Sequence, residues 1–245
     1  MQRRSDLVRR LFAEALATFC LVFAGTGGIV INGLSGGQLG HGGVAAAFGL
    51  VVAVMIFAVG HLSGAHMNPA VTAAFAVGRH FPLVEVVPYW AAQFAGAILA
   101  SLSLRALFGT AHGLGVTQPA HVGHLQALVL EAGLTAVLMI VILAVATDTR
   151  AAGSLAALAV GATIGLEALV LGPITGASMN PARSLAPALA ASEWTNLWIY
   201  LIGPAAGALI GVGTYEGLRG APHPASATAD AQLPVVERTS DTAAQ

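Results

Sequence analysis

The chain has 245 residues, 56% of them hydrophobic and 9% charged, with a mean hydropathy of +0.80. That balance excludes an ordinary soluble domain and fits a protein embedded in a bilayer. A net charge of −1 carries no nucleic-acid or anionic-substrate signal, and a lone cysteine, Cys20, excludes an intrachain disulfide and a cysteine-built metal site.

The chain opens with Arg3, Arg4, Arg9 and Arg10, followed by an apolar run over 11–31. Glu14 lies inside that run and no small-residue cleavage site follows it. The stretch therefore reads as a retained first membrane helix and not as a cleaved signal. A Gly-rich link over 32–42 leads to a second span over 43–62. The apolar pattern then breaks at Ser63 to Met67 and resumes after Asn68-Pro69-Ala70. Asn is a good N-cap, and Pro at the first helical position loses no hydrogen bond. A short helix over 70–77 is expected, too short for a hydrocarbon core of roughly 30 Å.

A third span is expected over 86–108, a polar connection over 109–124, a fourth span over 125–146 and a tight link over 147–153. The fifth span, 154–171, is short. The pattern breaks again at Thr175 to Met179, before Asn180-Pro181-Ala182-Arg183 and a short helix over 182–191. A sixth span covers 196–216. From Ala221 the composition turns to Ala, Pro, Thr, Ser and Asp, which reads as a disordered tail over 221–245 behind a single membrane domain over 1–220.

The two breaks repeat one unit. Gly64-Ala65-His66-Met67-Asn68-Pro69-Ala70 and Gly176-Ala177-Ser178-Met179-Asn180-Pro181-Ala182 lie 112 residues apart. Internal repetition outranks other patterns. Each half, about 10–108 and 125–217, holds three spans and one break, and an odd number of spans inverts the second half. Arg79, Arg150 and Arg219 then fall on the side of the N-terminal arginines, which places both termini in the cytoplasm; Arg105 is an exception. The short helices enter from opposite faces and bring their N-termini together at the midplane, where inverted-repeat proteins keep their transport sites. Irregular backbone at that depth must be buried or line a water-filled cavity.

The chemistry expected there favours a small neutral molecule. Asn68 and Asn180 offer amide donors, and both helix dipoles turn their positive ends to the same point. A cation is repelled, and a proton meets a water chain forced to reverse its orientation. Arg183, charged at membrane depth, marks a pathway, with five fixed donors that suit a constriction. Glu14 and Glu131 take related places in the two halves, and the unpaired amides of each break are their natural partners. Gly64, Ala65, His66, Gly176 and Ser178 are expected to supply pore backbone or vestibule, with His61 beside them. Glu167 has no repeat partner and reads as facing the outer vestibule or a helix end. His41, His112, His121 and His124 read as solvated. No third ligand joins His61 and His66, so no metal and no cofactor is expected.

These motifs resemble the aquaporin (major intrinsic protein) family over about residues 10–217. The likeness rests on His61-Leu62-Ser63-Gly64-Ala65-His66-Met67-Asn68-Pro69-Ala70-Val71-Thr72, on Gly176-Ala177-Ser178-Met179-Asn180-Pro181-Ala182-Arg183-Ser184, on Glu14 and Glu131, and on Ala92-Gln93-x-x-Gly96-Ala97 and Gly203-Pro204-x-x-Gly207-Ala208. The resemblance implies an all-α membrane fold, a right-handed bundle of six transmembrane helices plus two re-entrant half-helices, assembled as a homotetramer with one pore per subunit. It transfers an outer selectivity filter onto Phe48, Ala168, Ala177 and Arg183. Phe48, Arg183, Ser184 and Ala188 match the water-channel pattern. Ala168 replaces the His of strict water channels, and Tyr200-Leu201 departs from their aromatic-Trp pair. The mixture looks like the plant nodulin-like members and related bacterial channels, and the absence of a targeting signal fits insertion into a bacterial inner membrane. The main expectation is a passive water channel that excludes protons and ions. The alternative is an aquaglyceroporin-like facilitator of glycerol, urea or neutral metalloid acids. An ion-coupled secondary transporter is the rival of another class. An intramembrane enzyme lacks a nucleophile–base pair, and a structural junction protein has no need of Arg183.

Overall fold

The computed structural model describes residues 2–148 and 155–220. The chain forms α1 (Gln2–Leu34), α2 (Gly40–Ser63), α3 (Pro69–Val77), α4 (Leu83–Phe108), a short turn of helix at Ala111–Gly115, α5 (His124–Thr147), α6 (Ala156–Thr175), α7 (Pro181–Ala191) and α8 (Leu197–Arg219). All but α3 and α7 are long and apolar enough to span a membrane, six helices among the described residues. The tail over 221–245 and Arg150 lie outside the described residues.

The two short helices begin as their sequences dictate. Asn68 and Asn180 sit in extended conformation, with φ of −151° and −149°, and Pro follows each at the first helical position. Asn68 Oδ1 accepts from Ala70 N at 2.9 Å, and Asn180 Oδ1 accepts from Ala182 N at 3.0 Å. The side-chain oxygen thus takes up a backbone donor that the first turn leaves free.

The long helices pack in pairs set by glycine. α1 lies against α4, α5 against α8, and α2 against α6. At Gly96 an added Cβ would overlap the carbonyl oxygen of Ala15, and at Gly207 it would overlap that of Ala132. These are the corresponding crossings of the two halves. Gly49 and Gly161 join the halves: a Cβ on either would lie 2.5 Å from the other's carbonyl oxygen. Small residues are how membrane helices approach closely when hydrophobicity gives no drive to associate. The interior is mostly apolar but also holds charged and amide groups that a soluble core seldom buries. Glu14, Gln93, Glu131 and Arg183 are buried, while Phe12, Leu50 and Val84 are exposed. The arrangement is the right-handed aquaporin-type bundle with a pseudo-two-fold repeat.

Several boundaries differ from the sequence reading for local reasons. The first span continues back as one helix through the arginines to Gln2. The short fifth span reaches Thr175, passing through Pro173. Pro173 cannot donate to the carbonyl of Leu169 four residues earlier. His41 Nε2 donates to that carbonyl instead, at 2.7 Å. His41 is exposed but has a structural partner, which its reading as solvated did not include. Arg105, the exception to the arginine asymmetry, donates from Nη1 to Ala190 O at 2.7 Å and so caps the C-terminal end of α7.

Candidate functional site

Each break in the apolar pattern is a short loop with the same backbone signature. Gly64, Ala65 and Met67 have φ of +89°, +47° and +52°; Gly176, Ala177 and Met179 have +86°, +40° and +54°. Left-handed conformation costs a non-glycine residue about 1–2 kcal/mol, so something must hold Ala65, Met67, Ala177 and Met179 in place.

Two buried carboxylates do so. Glu14 Oε1 accepts from Ser63 Oγ and His66 N, both at 2.8 Å. Its Oε2 accepts from Met67 N at 2.9 Å and from Gln93 Nε2 at 2.8 Å. Glu131 Oε1 accepts from Ser178 N at 3.0 Å, and its Oε2 from Met179 N at 2.9 Å. Two tyrosines tie down the other end of each loop. Tyr89 Oη donates to Ser63 O at 2.9 Å and Tyr200 Oη to Thr175 O at 2.6 Å. These bonds tie each loop and the helix end that leads into it to long helices of the same half, and Gln93 braces Glu14 from α4.

The halves meet at the two asparagines. Asn68 Nδ2 donates to Met179 O at 2.7 Å, and Asn180 Nδ2 donates to Met67 O at 2.8 Å. Each asparagine therefore caps its own helix with its oxygen and grips the opposite loop with its nitrogen. A channel-like cavity of about 100 Å³ passes this point. Its wall includes Ala65, His66, Met67 and Asn68 from the first break and Ala177, Ser178, Met179 and Asn180 from the second. Water needs only ~10–15 Å³ of such space per molecule, so a short file of waters fits.

Phe48, Ala168, Ala177 and Arg183, far apart in sequence, all line this cavity. α7 carries Arg183 in its first turn, where the side chain is 2% exposed. Its Nη1 donates to Gly115 O at 2.8 Å, and its guanidinium carbon lies 5.0 Å from the centroid of the Phe48 ring. Nε has no hydrogen-bond partner among the described residues. Ala168 and Ala177 offer only methyl groups.

The remaining singled-out residues divide. Gly64 also lines the cavity. The His66 ring packs against Phe75, Phe81 and Tyr89 at 4.8, 5.0 and 5.3 Å, with Nδ1 3.1 Å from Thr72 Oγ1. Ser178 Oγ lies 2.6 Å from Ser184 Oγ. Gly176 is the left-handed C-cap of α6 and does not reach the cavity wall; His61 is exposed at the end of α2 and does not reach it either. Glu167 is neither at a helix end nor in an open vestibule. It lies inside α6, 7% exposed, and neither carboxylate oxygen has a hydrogen-bond partner among the described residues.

Sequence reasoning missed the segment around Gly115. Residues 109–124 read as a plain connection, yet Leu114, Gly115 and Thr117 are buried. Gly115 holds Arg183, and Thr117 Oγ1 donates to Ser184 Oγ at 2.8 Å. No periodicity marks such a strap, and Gly115 at φ +69° was its faint signal. The tethering roles of Tyr89 and Tyr200 were also missed, although aligning Gly96 with Gly207 would have paired the two.

Comparison with known proteins agrees with this geometry. The major intrinsic protein family matches residues 1–215. Aquaporin NIP1-1 of Oryza sativa subsp. japonica is 52% identical over 213 residues, covering 86% of this chain and 75% of its own length. Putative aquaporin NIP4-1 of Arabidopsis thaliana is 48% identical over 214 residues, covering 87% and 75%. Among solved structures, the aquaglyceroporin from Plasmodium falciparum superposes with a TM-score of 0.77 at 27% identity, covering 87% of this chain and 97% of that one. These relatives come from plants and a protist, which fits the nodulin-like features of the motifs and does not single out a bacterial type. Six spanning helices, paired asparagine-capped half-helices and a family match across nearly the whole described chain lead to one conclusion: the chain belongs to the major intrinsic protein family.

Proposed function

We propose that this chain is a passive membrane channel for small uncharged solutes, such as glycerol, urea or neutral metalloid acids, together with water. The observation that carries the reading is the composition of the cavity beside Arg183. Phe48 and Arg183 face two methyl groups, Ala168 and Ala177, where a strict water pore needs a bulkier polar wall. The relatives point the same way, since a nodulin-type aquaporin and an aquaglyceroporin are among the matches. The emphasis accordingly moves from water with optional solutes to a solute-permeable pore.

Proton and ion exclusion follows from the centre. Both half-helices aim their positive ends there, and Asn68 and Asn180 donate into the same region. Arg183 adds a fixed positive charge. The arginine asymmetry supports cytoplasmic termini in a plasma membrane or a bacterial inner membrane, with the lipid bilayer against the exposed apolar faces. The family resemblance supports a homotetramer, testable by native mass spectrometry.

Stopped-flow light scattering on proteoliposomes tests the reading with water, glycerol, urea and arsenous acid. Flux of water and of at least one uncharged solute above empty vesicles is the expected result. Water flux alone would remove the solute part, and absence of both would remove the channel.

A further inference from the structure

Gly25 of α1 has no place in the filter as motif matching assigns it, and it does not line the cavity. It lies directly behind a residue that does. A Cβ built on Gly25 would sit 2.6 Å from Cζ of Phe48, and nearer still to Cε1 and Cδ1 of the same ring. Real Cβ contacts are never so short, so the ring and a side chain at 25 cannot both occupy their present positions. Leu21, one turn earlier on the same face of α1, does line the cavity. At Gly25 the ring of Phe48 takes the space that a side chain would fill. The Arg183 guanidinium carbon lies 5.0 Å from the centroid of the same ring.

We infer that Gly25 is a specificity-determining residue: it forms the recess that holds the Phe48 ring back against α1, and so sets the width of the filter. This rests on the proposed solute-permeable pore and names a residue that controls it. The physical argument turns on which partner yields. The α1 backbone is held by the close crossing of Ala15 with Gly96 and by the Glu14 network. An aromatic side chain turns about two torsions, whereas the helix backbone shifts only together with its packing partners. The ring is therefore the part that moves, away from α1 and into the cavity it lines. With only methyl groups opposite, the recess accounts for a substantial part of the clearance.

The test compares the full chain with Gly25→Ala, Phe48→Ala, the double variant and Gly28→Ala in proteoliposomes, reading the glycerol-to-water permeability ratio by stopped flow. Gly28 is the control: its Cβ would meet only Ala47 Cβ, at an ordinary 3.7 Å. Gly25→Ala should lower the ratio by about tenfold, the low end of the effect of one methylene in a pocket, and Gly28→Ala should leave it unchanged. Adding Gly25→Ala to Phe48→Ala should change nothing, because the ring it displaces is gone. An unchanged ratio in Gly25→Ala overturns the inference, and so does an equal drop in the Phe48→Ala background. Should Gly25→Ala fail to insert, recovery of insertion in the double variant supports the recess, and continued failure overturns it. A wild-type channel that passes water and no glycerol would count against the proposed function only. The same variants are then read by water permeability, where a drop with Gly25→Ala and its abolition by Phe48→Ala decide the matter.

Discussion

Ala168 adds a methyl group to the cavity wall that Phe48, Ala177 and Arg183 also line, and one substitution tests the proposed filter role of that position. Ala168→His adds a ring and a polar partner to the wall. Glycerol flux should fall by a larger factor than water flux in stopped-flow measurements, whereas equal loss of both would show that Ala168 does not govern width. The two buried carboxylates make a second residue-scale test. In Glu131→Gln an amide donor replaces one of the oxygens that accept from Ser178 N and Met179 N. Leaving one buried donor unsatisfied costs about 1–3 kcal/mol, so a lower unfolding temperature in detergent is expected. Glu14 accepts from four donors, including Gln93 Nε2. Glu14→Gln should therefore lower the unfolding temperature further than Glu131→Gln, and the reverse order would show that the loops are held by other means.

Half-helices α3 and α7 are held less by length than by what meets their first turns. Nine and eleven residues are too few for a stable isolated helix. Their stability comes from the Asn caps, the crossed Asn bonds and burial. Asn68→Ala or Asn180→Ala removes an N-cap worth about 1 kcal/mol and one bond between the halves. Each variant should lose thermal stability. The double variant should also leak more protons and cations in vesicles carrying a pH-sensitive dye, because the donors that orient the central waters are absent. Retained exclusion would shift the barrier to Arg183 and the dipoles alone.

At the scale of the whole molecule, a cavity with a mostly apolar wall, polar at the two loops and Arg183, runs inside an apolar coat, and Gly49 against Gly161 locks the two halves. A transporter would have to move those halves against each other, and a crossing with no room for a Cβ opposes sliding. Solute in reconstituted vesicles should therefore equilibrate and never accumulate above the external concentration, with or without a sodium or proton gradient. Accumulation driven by either gradient would replace the channel with a coupled transporter.

Much of this was legible in the chain because membrane physics limits the choices. Apolar runs of bilayer length announced the spans, and paired Asn-Pro units announced the half-helices, since Asn caps a helix well and Pro at the first position loses no hydrogen bond. The odd number of spans per half implied inversion, and Glu14 and Glu131 stood out as charges that hydrocarbon does not tolerate without donors. What the sequence could not carry was anything that depends on distance between remote residues. The strap that gives Gly115 O to Arg183, the His41 bond to the carbonyl freed by Pro173, and the Gly25 recess behind Phe48 are contacts between segments with no shared periodicity. Periodicity reports which face of an element is apolar. It does not report which atom of another element lies 3 Å away, and the width of a filter is decided at that range.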